Sequence, residues 1–175
     1  TQFAKTQLTI MITQLRELIG DEQTTSSKVR ALQQYLYHPG PWNDNNVFSY
    51  DLKDPQGRDL KTKLLANYLK TRKGNCVSMP ILMILLGNYI GLDISAATAP
   101  HHVYTMVHVP ETGQMINLEA TSGGKPARDE WIIQQTYVTP QARKSGIYMR
   151  KLSRKETVMV MLQSLVEHEE RRGNF

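Results

Sequence analysis

Apolar residues recur at helical spacing from the start of the chain. Between residues 3 and 19, Leu8, Met11, Ile12, Leu15, Leu18 and Ile19 share one stripe, which predicts an amphipathic helix closed by Gly20-Asp21. A second helix is expected from a Ser26 or Ser27 cap through Tyr37, with Val29, Leu32, Tyr35 and Leu36 inward, and His38-Pro39-Gly40-Pro41 stops it. A third runs from about Asp59 to Arg72 on Leu60, Leu64, Leu65, Tyr68 and Leu69. The run Ile81 to Leu92 is apolar enough to be buried yet too short to cross a membrane, so it predicts a core helix. A last helix is expected after Ser153, since Ser153-Arg154-Lys155-Glu156 has the capping-box pattern. Its apolar positions are Val158, Met159, Met161, Leu162, Leu165 and Val166, and Gly173 suits its C-cap.

The period changes to two further along. Leu92 to Ala99 is short and partly β-branched, and Pro100 follows it. Val103 to Val109 and Gln114 to Thr121 flank Pro110-Glu111-Thr112-Gly113, which reads as a hairpin with a four-residue loop. Closing Val109 against Gln114 fixes the register. One face then carries Val103, Val107, Val109, Ile116, Leu118 and Ala120, an apolar core face. The other carries His102, Tyr104, Met106 and His108 opposite Thr121, Glu119, Asn117 and Met115. His102 and Glu119 are diagonal neighbours there, about 7–8 Å apart between backbones, which long side chains can bridge. Such a face is also what the solvent side of an antiparallel pair looks like. His101 points the other way.

Two stretches carry less pattern. Residues 42–57 are rich in Asn, Asp, Pro and Gly with Trp42, Phe48 and Tyr50 inserted, which suggests a loop packed over something, a cleft being one option. Trp131-Ile132-Ile133 begins a short element of unassigned type, broken at Val138-Thr139-Pro140.

Composition narrows the picture. The 175 residues suit one domain with a proper core, and an α+β architecture follows from helices flanking a hairpin. The net charge is +5, but bases and acids are interspersed. The densest basic cluster, Arg143, Lys144, Arg150, Lys151, Arg154 and Lys155, is broken by apolar residues. No nucleic-acid-binding motif accompanies that charge, and a nucleic-acid partner is not expected. One cysteine rules out an internal disulfide framework. No segment reaches transmembrane length, and any leader would lie upstream of Thr1, so the compartment stays open.

The candidate chemistry centres on that cysteine. Cys76 follows a polar loop and precedes the buried helix. Ser78 is preferred to Asn75 as the cap, because it places Pro80 in the first turn and Cys76 in the entry turn. The unpaired N–H groups and partial positive charge of a helix start favour thiolate over thiol. A nucleophilic thiol needs a base, and the base needs a partner that fixes its tautomer. Cys76, His102 and Glu119 supply these in order, the last two on adjacent strands. A metal site built from His101, His102, His108 and Cys76 is disfavoured, since adjacent histidines on a strand point to opposite faces. No cofactor is implied.

The blocks Arg72-Lys73-Gly74-Asn75-Cys76-Val77-Ser78, Gly91-Leu92, Pro100-His101-His102-Val103, Asn117-Leu118-Glu119-Ala120-Thr121 and Gly123-Gly124 resemble the transglutaminase-like superfamily. The resemblance covers roughly Phe48 to Leu152 and is closest to a bacterial branch whose domain precedes tetratricopeptide repeats. It implies a papain-related fold with a Cys-bearing helix on a small antiparallel sheet. It gives Cys76 the nucleophile role, His102 the base and Glu119 the orienting acid, where many members have Asp. It also implies an amide- or peptide-bond substrate, with hydrolysis favoured over amine transfer. The rival expectation is a non-catalytic peptide- or protein-binding module of the same fold. For the oxyanion, the Cys76 N–H is one donor, with Asn43 and Asn75 as candidates for the second. The expected division is residues 1–152 as the domain and 153–175 as a C-terminal helix. That helix resembles the first of a tetratricopeptide unit, so protein partners through a repeat array, in a chain continuing past Phe175, are one expectation. An ordinary closing helix is the other.

Overall fold

The computed structural model describes residues 1–174, and Phe175 lies outside the described residues. The first stripe forms α1 (Gln2–Ile19), capped by the Thr1 hydroxyl. The second forms α2 (Thr25–Tyr37), whose cap is Thr24 and not a serine: the Thr24 hydroxyl accepts from the Ser27 N–H, while the Ser27 hydroxyl donates to the Glu22 carbonyl. Strand β1 (Ser49–Tyr50) follows the aromatic loop.

The expected third helix is broken into α3 (Leu60–Lys63) and α4 (Leu65–Thr71), with Leu64 in an extended conformation between them. Beside the break, the carbonyl of Thr62 accepts from the Ser78 hydroxyl at 2.8 Å, so this part of the chain is tied to a neighbouring element. Apolar spacing carries no sign of that competing bond. Strand β2 (Lys73–Gly74) pairs in parallel with β1, Tyr50 against Gly74, and runs straight into Cys76.

Next comes α5 (Ser78–Tyr89), buried on nearly every side, with Leu82, Met83 and Leu86 inaccessible to solvent. It packs between α1, α2 and α4 on one side and the main sheet on the other. The sheet has four antiparallel strands in sequential order: β3 (Asp93–Ala99), β4 (His102–Val109), β5 (Gln114–Glu119) and β6 (Lys125–Ala127). α5 comes close to the sheet at Gly87, where any Cβ would stand 2.7 Å from the Ile94 side chain. The predicted hairpin register holds, from Thr105 opposite Leu118 to Val109 opposite Gln114.

The hairpin's second face is not a solvent face. Tyr104 is buried there with Ala97, Ala99, Ile132 and Val138 in a small second core. Its cover includes α6 (Asp129–Thr136), the unassigned Trp131 element, followed by α7 (Pro140–Lys144). The chain then runs alongside β3, with Met149 N–H on the Thr98 carbonyl and Leu152 N–H on that of Ala96, both at 2.9 Å. The final helix, α8 (Arg154–Arg171), has the predicted capping box, and Gly173 just beyond it takes positive φ. Most of its apolar stripe faces outward: Val158, Leu162, Leu165 and Val166 are exposed, while Ser164 is buried.

Candidate active site

Buried polar groups hold the mouth of α5. The Asn75 carboxamide oxygen accepts from the N–H groups of Val77 (2.9 Å) and Ser78 (3.3 Å), satisfying donors that a helix start leaves orphaned. Its nitrogen donates to the Thr62 hydroxyl at 3.1 Å. The Ser78 hydroxyl accepts from the Asn75 N–H at 3.1 Å and donates to the Thr62 carbonyl. Ser78 is therefore the first helical residue, and Asn75 does the capping that the sequence had given to Ser78. Pro80 falls third in the helix, where its missing N–H costs nothing. Gly74 has to be glycine, because a Cβ would meet the Ser78 hydroxyl and the Tyr68 ring at 2.6 Å. Between these packed neighbours Cys76 is half-buried. Among the described residues its N–H has no acceptor.

His102 opens β4 directly after a tight turn in which His101 takes positive φ and stays exposed. The β4–β5 ladder ends at Thr105 and Leu118, before it reaches His102 and Glu119. The two side chains meet beyond the last paired residues, with His102 Nε2 2.6 Å from Glu119 Oε2. The other carboxylate oxygen accepts from the Thr121 N–H (3.0 Å) and hydroxyl (2.7 Å), in a short 3-10 turn that Glu119 itself caps. Thr121 thus fixes the carboxylate, a role the sequence pattern did not reveal. The Tyr104 ring lies nearly parallel to the imidazole at 6.3 Å.

The electrostatics agree with that geometry. Burial alone would push the His102 imidazole down, but the neighbouring Cys76 thiol and the Glu119 carboxylate bonded to it outweigh burial and hold it up at about 9. Burial would likewise raise Glu119, yet the bonds from His102 and Thr121 keep it below the ordinary carboxylate range. With Nε2 on the carboxylate, Nδ1 is the ring nitrogen left for the sulfur.

Of the three expected residues, His102 and Glu119 meet directly and Cys76 lines the same cleft as His102, whereas other candidates lie elsewhere. His108 sits at the far end of β4, 3.6 Å from Asp93. Asn43 is buried elsewhere, donating to the carbonyls of Tyr35 and His38 and accepting from Gly40. Asn75 borders the cleft with its carboxamide oxygen on the helix N–H groups and its nitrogen on Thr62. Asn43 is therefore not placed to be a second oxyanion donor. The aromatic loop divides in two. Trp42 and Phe48 pack against the main core, and only Tyr50 with the segment after it reaches the cleft.

That cleft measures about 1080 Å³ and is lined by Cys76, His102 and Thr121. Its walls are residues 50–57, Tyr148 and the inner side of α8. Lys63 on α3 reaches Glu167 on α8 at 3.4 Å across it.

Together these features define an α+β domain whose buried helix carries a thiol at its mouth, in one cleft with an imidazole that a carboxylate on the sheet holds. The profile of the transglutaminase-like superfamily matches residues 2–163, and the chain belongs to that superfamily, which consists mostly of cysteine hydrolases and transferases. The match extends into α8 and lends no support to a tetratricopeptide array. Comparison with curated proteins and with solved structures returned no match. No helix among the described residues is long and apolar enough to cross a membrane.

Proposed function

We propose that the protein is a cysteine enzyme that cleaves amide or peptide bonds through an acyl-enzyme. Cys76 is the nucleophile, His102 the general base and Glu119 the acid that orients it. In the first step the Cys76 sulfur attacks the substrate carbonyl while His102 holds the thiol proton. Collapse of the tetrahedral intermediate breaks the C–N bond, and the proton passes from His102 to the departing amine. Water, activated by the now neutral imidazole, then hydrolyses the thioester. The Cys76 N–H, free of other acceptors among the described residues, supports a role as oxyanion donor. Hydrolysis is preferred to amine transfer by family resemblance. The substrate class is a peptide or protein.

One observation carries this reading: His102, hydrogen-bonded to Glu119 at 2.6 Å, lines the same cleft as Cys76. A binding module of the same fold has no use for a protonated imidazole facing its only thiol. The test is alkylation by iodoacetamide at pH 6. The expected result is a wild-type rate at least about tenfold above that of free cysteine, lost in His102→Ala. A wild-type rate equal to that of free cysteine, and unchanged in the variant, returns the protein to the binding-module reading. The division of the chain after residue 152 belongs to the same proposal. In it α8 closes the cleft with one side and offers its outer stripe to protein partners.

A further inference from the structure

α8 and the stretch leading into it line the cleft that holds Cys76 and His102. At one end Tyr148, just before the Met149–Thr98 backbone bond, lies next to Ala99, the residue paired with His102. At the other, Glu167 meets Lys63, whose side chain packs beside Gly57 and Asn75, next to Cys76. The two ends differ in chemistry. The thiol end has an ion pair, whereas Met159, Val160 and Tyr148 give the imidazole end an apolar wall. From the segment after β1, Leu52 and Pro55 line the same cleft. Leu52 is 83% exposed and Met159 62%, values at which a large apolar side chain stays wetted unless something binds over it.

We infer that these two rims form an apolar subsite that accepts a bulky aliphatic or aromatic side chain of the peptide substrate, next to the residue whose carbonyl Cys76 attacks. The occupant is a side chain and not a folded partner. The groove is continuous with Cys76 and His102, and its charged groups are already paired at the other end, leaving no ion to recognise a charged residue here. The subsite rests on the proposed function for its position but not for its existence.

Binding is therefore measured separately from reactivity, on Cys76→Ala protein, by fluorescence anisotropy with fluorescein-labelled Ala-Ala-X-Ala-Ala amides in which X is Leu, Phe, Lys or Asp. The Leu and Phe peptides are expected to bind about tenfold more tightly than the Asp peptide. Adding Met159→Lys or Leu52→Lys, both at exposed positions that leave the core intact, is expected to erase that preference. Equal affinities, no measurable binding of any peptide, or a preference unchanged in both variants would overturn the subsite. If discrimination holds while iodoacetamide finds an ordinary thiol, the subsite stands and the enzymatic reading falls. The opposite pair of results removes the subsite alone.

Discussion

The mouth of α5 and one side of α8 both border the cleft, and both helices are rich in apolar residues. They are held in opposite ways. α5 is sealed among three helices and a sheet, and its first turn is fixed by Asn75, Ser78 and Thr62, all buried. α8 turns most of its apolar residues outward and reaches the thiol side of the cleft through the Lys63–Glu167 pair. The contrast separates two tasks. A nucleophile has to be placed to within a fraction of an ångström, which needs dense packing and satisfied polar groups. A substrate-facing wall can be bound loosely.

The sharpest way to break this comparison is to truncate one leucine on each helix. Leu82→Ala in α5 is expected to cost about 2–5 kcal/mol, whereas Leu162→Ala in α8 should stay within about 0.5 kcal/mol. Urea titration reads both, and similar losses would mean that α8 is as much a part of the core as α5. The polar clamp at the helix mouth comes next. Ser78→Ala leaves the Asn75 N–H and the Thr62 carbonyl without their buried partner, which should cost about 1–3 kcal/mol. It should also slow alkylation of Cys76. Full stability with unchanged thiol reactivity would show that the clamp does not position the sulfur.

The imidazole–carboxylate pair predicts a pH dependence of similar size. The folded-state value of His102 is raised, so its stabilisation is complete below its ordinary 6.5 and is lost as pH rises through about 9. The amount is on the order of 3 kcal/mol, at about 1.4 kcal/mol per unit. Glu119 is lowered, so its share is present above its unfolded value and is lost as pH falls through the lower folded one. The melting temperature should therefore fall on both sides of neutrality, and Glu119→Gln should flatten the alkaline limb. A limb of equal slope in that variant would detach the carboxylate from His102. The smallest effect is expected at Lys63→Gln, within about 0.5 kcal/mol, because half of its pair is solvent-exposed. A larger loss would make α8 a clamped element.

The parts of this molecule that were legible in the sequence are those set by local pattern. Helical stripes gave α1 and α2, the capping box gave the start of α8, and alternation with a four-residue loop gave the β4–β5 register. That register put His102 and Glu119 on one face, where their side chains meet. What escaped depends on long-range contacts. The break at Leu64 lies beside a bond from Ser78, distant in sequence. The second core under Tyr104 is assembled from Ala97, Ile132 and Val138, none of which signals its partners. Asn75 displaced Ser78 as the cap because Ser78 is drawn towards Thr62. The outward stripe of α8 looks the same in sequence as an inward one, since periodicity reports a face but not what it meets.

The central claim is that Cys76, His102 and Glu119 share one charged network. It is tested most directly by following the His102 ring resonances by NMR as pH is raised, in wild-type protein and in Cys76→Ala. The imidazole is expected to stay protonated to about pH 9 in the wild type and to lose its proton at lower pH once the sulfur is removed. Titration near 6.5 in both proteins would contradict it.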